Sequence, residues 1–214
     1  MSRISSRASR SPLRMAQLPT QAHRAPRKVG LLAATALAVV ALGACGESHT
    51  RVTTGTYAGA SGKNAPYLDV GPLSYEVQLS RELNPYNTED SSYLTGLTPA
   101  QRLLRPGEEW FGVFMQVYNN TEQPHPVATG LTISDTQGNV YHPIIAANAF
   151  AYRPGDVPAK NQIPAPNTIA AAGPTQGALL LYKIKVTSLD NRPLTLQIVD
   201  PLEARQTASA ELDV

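Results

Sequence analysis

The chain has 214 residues, one cysteine, 18 basic and 16 acidic residues. Seven of the basic residues lie within the first 28 positions, so the remainder carries eleven basic against sixteen acidic residues, a net charge near −5. Contact with phosphate backbones is driven by positive charge, so nucleic-acid binding is disfavoured and no nucleic-acid partner is expected, and a single cysteine excludes a framework of internal disulfides. The length beyond the cysteine suits one domain able to bury a core of its own.

The chain starts with Arg3, Arg7, Arg10, Arg14, Arg24, Arg27 and Lys28, and no acidic residue occurs before Glu47. Positions 29–42 then supply a run of mostly small apolar residues. Fourteen positions fall short of the ~20 that a membrane-spanning helix needs and match the apolar region of a secretory signal. Residues 1–44 are therefore read as a cleaved signal peptide. Met15 is an alternative start that keeps Arg24, Arg27 and Lys28 ahead of the same apolar run.

The run closes on Leu42-Gly43-Ala44-Cys45, which resembles a bacterial lipobox: an aliphatic residue, two small residues, then cysteine. The resemblance implies that the Cys45 thiol receives a diacylglyceryl group, that cleavage falls just before it, and that Cys45 becomes the mature N-terminus. The small side chains of Gly43 and Ala44 let a peptidase approach the backbone. Burial of acyl chains contributes ~0.8 kcal/mol per methylene, and two chains, such as palmitate, anchor where one binds only marginally. The implied location is the extracytoplasmic face of the cell membrane.

Residues 45–65 are rich in Gly, Ser, Thr and Ala and poor in large apolar residues, a composition that reads as a flexible tether. From Tyr67 the pattern changes to period two. Leu68 and Val70 suit a short strand, and Leu73, Tyr75, Val77 and Leu79 alternate as in a strand with one buried face. Positions 81–105 form a long polar connection, with a helical turn expected from Pro99. The segment 110–118, Trp-Phe-Gly-Val-Phe-Met-Gln-Val-Tyr, is apolar on almost both faces and is expected to be a central strand. Leu131 to Ser134 alternates again, Asp135-Thr136-Gln137-Gly138-Asn139 reads as a hairpin loop, and Val140-Tyr141-His142 returns until Pro143 limits it. Positions 146–174 are rich in Pro, Ala and Asn and read as irregular, with a helical turn near Asn148 to Tyr152. Positions 177–186 and 194–199 are the last two strands, and 203–214 reads as a disordered tail. About seven strands with turn punctuation predict an all-β fold, an antiparallel sandwich over 66–202.

The 110–119 strand, the Asp135…Gly138…Tyr141 hairpin, and the Gly177 to Tyr182 strand followed later by Pro193-Leu194 resemble the uncharacterised immunoglobulin-like domains of bacterial envelope lipoproteins. The resemblance implies an immunoglobulin-like topology and carries no catalytic residues. The paired cysteines of antibody domains are missing, so Trp110 lacks its usual packing partner.

No motif points to catalysis. Zinc wants three or four convergent ligands; His125, His142 and Glu122 are the one conceivable cluster and read as ordinary loop residues, and no Gly-x-Ser-x-Gly elbow is present. Glu108-Glu109 read as a solvated strand entry rather than paired catalytic carboxylates. No cofactor, metal or catalytic residue is expected. The leading expectation is a non-enzymatic binding module with the membrane and an envelope protein or cell-wall component as partners. The alternative is an envelope enzyme, or a metal- or small-molecule-binding accessory protein, with a site assembled from loops. The connections 86–104 and 150–175 are long for a sandwich, and Tyr86, Tyr93, Phe150, Tyr152 and Arg153 are their candidate contact residues, because aromatic and arginine side chains concentrate interface energy.

Overall fold

The structure is a computed structural model that describes residues 52–56 as backbone and 67–212 in full; all of these belong to one unit, Ser48–Val214. The signal peptide 1–44, Leu42, Gly43, Ala44, Cys45 and most of the 45–65 segment lie outside the described residues. In chain order the elements are β1 (Val52–Thr56), β2 (Leu68–Val70), β3 (Leu73–Leu83), α1 (Thr88–Tyr93), α2 (Pro99–Arg102), β4 (Glu108–Asn119), β5 (His125–Pro126), β6 (Thr132–Ser134), β7 (Val140–Tyr141), β8 (Asp156–Val157), β9 (Asn161–Ile163), α3 (Ile169–Ala172), β10 (Ala178–Lys185), α4 (Val186–Asp190), β11 (Leu194–Val199) and β12 (Thr207–Leu212).

The protein is a β-sandwich. One sheet runs β1-β12-β11-β6-β7, the other β10-β4-β3-β2 with β9 beside β4, and β5 pairs with β8 apart from both. Alternation aims Leu194, Leu196 and Ile198 of β11 and Ile133 of β6 at Phe111, Val113, Met115 and Val117 of β4, which gives the core between the sheets. β4 buries its other face as well. Trp110 and Phe114 form a second core with Leu83, Tyr93, Leu94, Leu97, Leu179 and Leu181, under the 84–107 connection and the chain near Ala146. A central strand with two apolar faces is what its sequence predicts.

Four sequence expectations are corrected. The 203–214 tail is not disordered, because β12 pairs with β11 through six residues and with β1 through five. Its Thr-Ala-Ser-Ala-Glu-Leu pattern alternates with small residues, and Ala208, Ala210 and Leu212 are buried in the inter-sheet core. Asp200 builds the turn that returns the chain: its Oδ1 accepts from the backbone N–H groups of Leu202 and Glu203 at 2.7 and 2.9 Å. The 45–65 segment is not tether throughout, since Val52–Thr56 adds to β12 as a strand, and that pair is parallel rather than antiparallel. Its Val and Thr residues favour extended backbone. The 66–202 domain boundary therefore widens to include β1 and β12.

The third correction concerns β3. Register with β4 shifts between Val77 and Leu79, and the extra residue at Gln78 reverses the facing of the strand. Val77 packs between the sheets, whereas Leu79 packs with the outer core around Phe114. The single buried face implied by the alternation up to Leu79 thus divides in two. The fourth is the helical turn expected near Asn148 to Tyr152; this stretch bends without helix and bridges to β10 through Ala151 and Leu179.

Loop backbone buried between the sheets needs partners, and tyrosines supply them. The Ala128 N–H donates to Tyr75 Oη at 2.8 Å and the Ala128 carbonyl accepts from the Tyr152 hydroxyl at 2.9 Å. Burial pushes the Tyr75 hydroxyl up to about 12, so it keeps its proton at neutral pH. The β6–β7 turn is held by Asp135, whose carboxylate accepts from the N–H groups of Gln137 and Asn139, the Asn139 side chain and the Ser188 hydroxyl at 2.7 to 3.0 Å.

Candidate functional site

The outer face of the β10-β4-β3-β2 sheet positions the candidate contact residues. α1 starts on Asn87, whose side-chain oxygen accepts from the N–H groups of Glu89 and Asp90, and α2 starts on a Thr98/Gln101 capping box. Such short helices cannot hold on propensity alone; α1 is pinned by charge. Arg81 of β3 meets Asp90 at 2.6 Å and Glu89 at 3.6 Å. Glu89 also accepts from the Tyr93 hydroxyl and from Thr175 Oγ1, both at 2.8 Å. One carboxylate therefore joins the two long connections into a single cover.

Burial disfavours the charge of Asp90, but the Arg81 hydrogen bond, the Asn84 N–H and the nearby Arg81 charge outweigh it, so its carboxyl sits below its ordinary value. Asp135 is also lowered, with burial outweighed by the bonds from Ser188, Asn139 and Gln137. A carboxyl lowered by folding stabilises fully above its unfolded pKa, about 3.9 for Asp, and loses that contribution as pH falls through the folded value. Thermal unfolding midpoints should therefore hold steady down to about pH 5 and fall below about pH 4. Asp90→Asn should be destabilised at pH 7 by roughly 1–3 kcal/mol and show a shallower acid decline; parallel pH profiles of the variant and the parent would expose this assignment as wrong.

The structure separates the five expected contact residues. Tyr93 is 1% exposed, with its ring edge-on to Phe114 at 5.0 Å and to Phe150 at 4.8 Å. Tyr152 is 4% exposed and bonded to Ala128. Both are corrected from contact residues to core, because the long loops need aromatic packing beneath them to stay folded. Phe150 is half-buried, Arg153 is exposed, and Tyr86 is 95% exposed.

Phe150 and Arg153 come together in a groove of about 330 Å³ whose other walls include Asn148, Ile163, Pro164 and Thr168. Tyr86 does not line it; its neighbour Pro85 borders a separate recess of about 280 Å³ over Leu94, Leu97 and Trp110. Asn148 builds the groove, and its role is not apparent in the sequence. Its amide nitrogen donates to the carbonyls of Tyr93 and Thr95 at 2.8 and 3.0 Å, while its oxygen accepts from the N–H groups of Phe150 and Ala151 at 2.9 and 3.0 Å. Only the local half of this arrangement follows a sequence habit, since an Asn side chain accepts from the backbone N–H two residues on. Arg153 donates to the Asn148 carbonyl at 2.9 Å, and among the described residues no carboxylate pairs with it. The groove thus offers apolar walls with one cation at its rim, a surface able to take an apolar ligand that carries a negative group.

Glu108 and Glu109 begin β4, but only Glu108 fits a solvated entry. The Glu109 carboxyl is raised by burial and by the neighbouring charge of Glu82, and its Oε1 is buried with no partner among the described residues. Among the described residues no group of three or more His, Cys, Asp or Glu is placed to hold a metal ion. No described helix is long and apolar enough to cross a membrane.

No protein-family model matches the chain, and no curated protein matches it. Among solved structures it is similar to the yjhA protein from Bacillus subtilis, at 10% identity and a TM-score of 0.45, over 69% of this chain and 96% of that one. It is also similar to ycdA of the same organism, described as a putative lipoprotein, at 8% identity and a TM-score of 0.43 over 71% of this chain; the matched region is 39% of that protein. A third similar structure is an uncharacterised β-sandwich protein from Clostridium difficile, at 7% identity and a TM-score of 0.43, over 76% of this chain and 97% of that one.

Proposed function

We propose that the protein is a non-catalytic binding module of the bacterial envelope, exported, cut before Cys45 and held by a diacylglyceryl group on the extracytoplasmic face of the membrane. The observation that carries this reading is Leu42-Gly43-Ala44-Cys45 closing an apolar run behind a basic leader, with the only cysteine of the chain at its end. The mature sandwich, immunoglobulin-like in this reading, needs no thiol of its own. Six residues separate Cys45 from β1. Fully extended chain covers at most ~3.3–3.6 Å per residue, so the body is held within roughly 25 Å of the anchor, close enough for loops to meet partners at the membrane or in the wall.

Cys45→Ser is expected to move the protein from the membrane fraction to the soluble fraction, because the acyl chains supply the anchoring energy. Unchanged membrane partition would contradict the anchoring. The groove around Phe150 and Arg153, together with exposed Tyr86, is the partner surface in this reading. Arg153→Ala and Tyr86→Ala should leave the unfolding free energy within about 0.5 kcal/mol of the parent, as surface changes do, while reducing co-purification of an envelope partner. Full recovery of every partner by the double variant would remove this surface from the account.

A further inference from the structure

The outer face of the sheet carries a second set of polar side chains. Glu76 of β3 pairs in register with Gln116 of β4, and both side chains lie on the face away from the inter-sheet core, because their neighbours Tyr75, Val77, Met115 and Val117 fill that core. Glu76 is 2% exposed and Gln116 8%. A buried carboxyl on an outer face, at a position where most sheets place a solvated residue, calls for a reason.

Its hydrogen bonding is incomplete. The Tyr118 hydroxyl donates to Glu76 Oε2 at 3.0 Å and also faces the side-chain oxygen of Gln116. One hydroxyl carries one proton, so two acceptors compete for a single donor. Among the described residues Glu76 Oε1 is buried and has no partner. Burial, together with the bond to Glu76 and its charge, pushes the Tyr118 hydroxyl far above its ordinary value, so it remains a donor and releases no acceptor pressure. Glu76 Oε1 is the atom of this cluster left without a donor, and a buried polar atom in that condition is costly.

Aromatic rings stand over the same place. Tyr67 immediately precedes β2, and continuing the Leu68–Tyr75 register by one residue sets it opposite Glu76. Its ring meets that of Tyr118 edge-on at 5.7 Å. Tyr67 is 60% exposed, so the roof over the carboxyl is a side chain at the solvent boundary. A buried carboxyl oxygen without a donor among the described residues, an amide oxygen that shares the one Tyr118 donor with it, and the neighbouring rings of Tyr118 and Tyr67 form the complement of a cation.

The shape of the deficit selects which cation. A guanidinium fits a carboxylate best as a planar fork on both oxygens, and at Glu76 one of them, Oε2, already accepts from Tyr118. An ammonium is a compact charge with three donors, suited to Oε1, to the Gln116 oxygen and to a ring. We propose that Glu76, Gln116, Tyr118 and Tyr67 form a receptor for a terminal primary ammonium group on an unbranched alkyl chain, admitted past the Tyr67 ring. The inference goes beyond the envelope-module reading and does not rest on how the chain is anchored, so failure of either leaves the other standing.

The test is calorimetric titration of the full chain in detergent micelles at pH 7 with pentylamine, with lysine capped at both backbone ends, and with butylguanidine. Saturable binding of pentylamine is expected, at least tenfold tighter than butylguanidine, a difference of about 1.4 kcal/mol. Glu76→Gln, which keeps the side-chain shape, should weaken pentylamine at least tenfold. Capped lysine binding as well as pentylamine would mean that the group is read on a peptide as on a free amine; binding of pentylamine alone would restrict the receptor to small amines. Absence of saturable binding by both, or affinity unchanged in Glu76→Gln, overturns the proposal. If Glu76→Gln does not fold, Tyr67→Ala at the exposed roof serves instead: a severalfold loss of pentylamine affinity is expected, and no change overturns the proposal.

Discussion

A chain ended after Gln206 is expected to show no cooperative thermal transition. The deletion removes β12, which lies between β1 and β11 and pairs with both. Ala208, Ala210 and Leu212 leave the inter-sheet core with it, and β11 becomes an open edge with Leu194, Leu196 and Ile198 uncovered. Leu212 alone contributes about 1.5–3 kcal/mol by burial, and each newly exposed core residue of β11 loses a comparable share. Set against a typical stability of about 5–15 kcal/mol, such a loss leaves no folded population. Circular dichroism melting checks this. A truncated chain that melts as sharply as the parent would show that the sheet ends at β11.

The second large effect is expected at Gly177, at the entry to β10. Its φ of +121° is a region that L side chains rarely adopt, and an added Cβ would lie 2.7 Å from the Met115 nitrogen and 2.8 Å from the Phe114 carbonyl carbon. Those are backbone atoms of the central strand, buried on both sides, and cannot step aside as a flexible side chain could. Gly177 also anchors the 164–176 connection, since its N–H donates to the Ala170 carbonyl at 2.8 Å. Gly177→Ala is expected to cost about 3–5 kcal/mol, from backbone strain and the displacement of β4 together. Gly138 has φ of +84° in the β6–β7 turn with nothing within 4 Å of an added Cβ, so Gly138→Ala should cost only about 1–2 kcal/mol. Equal losses in urea unfolding would show that strain alone operates and that the close approach to β4 is immaterial.

The contrast between β4 and β12 explains what the sequence makes legible. Trp110, Phe111, Val113, Phe114, Met115 and Val117 are large and apolar, so a two-faced central strand is plain before any coordinates. Ala208 and Ala210 point into the same core, yet alanine carries too little apolar surface to register as a strand face beside Thr, Ser and Glu. The seven strands expected from the sequence are β2, β3, β4, β6, β7, β10 and β11; the five others, β1, β5, β8, β9 and β12, are short, polar or small-residue segments whose pairing depends on partners distant in the chain. The bulge at Gln78 escaped for a related reason, because period two is blind to one inserted residue until the neighbouring strand fixes the register.

The candidate site was half legible. Aromatic residues in long loops signal either binding or packing, and sequence offers no means to separate Tyr86, almost fully exposed, from Tyr93, buried against Phe114 and Phe150. Arg153 is exposed and lines the groove. Asn148 and Glu89 hold the loops through bonds to segments more than fifty residues away, a relation with no trace in local pattern. Glu76 alternated with apolar residues as any solvated strand position would, and only the rings of Tyr67 and Tyr118 distinguish it.

Mass spectrometry of the native protein extracted from membranes tests the central claim most directly. The account predicts a mature chain that begins at Cys45, with a diacylglyceryl group on its sulfur and residues 1–44 removed. An intact leader together with an unmodified Cys45 thiol would contradict it.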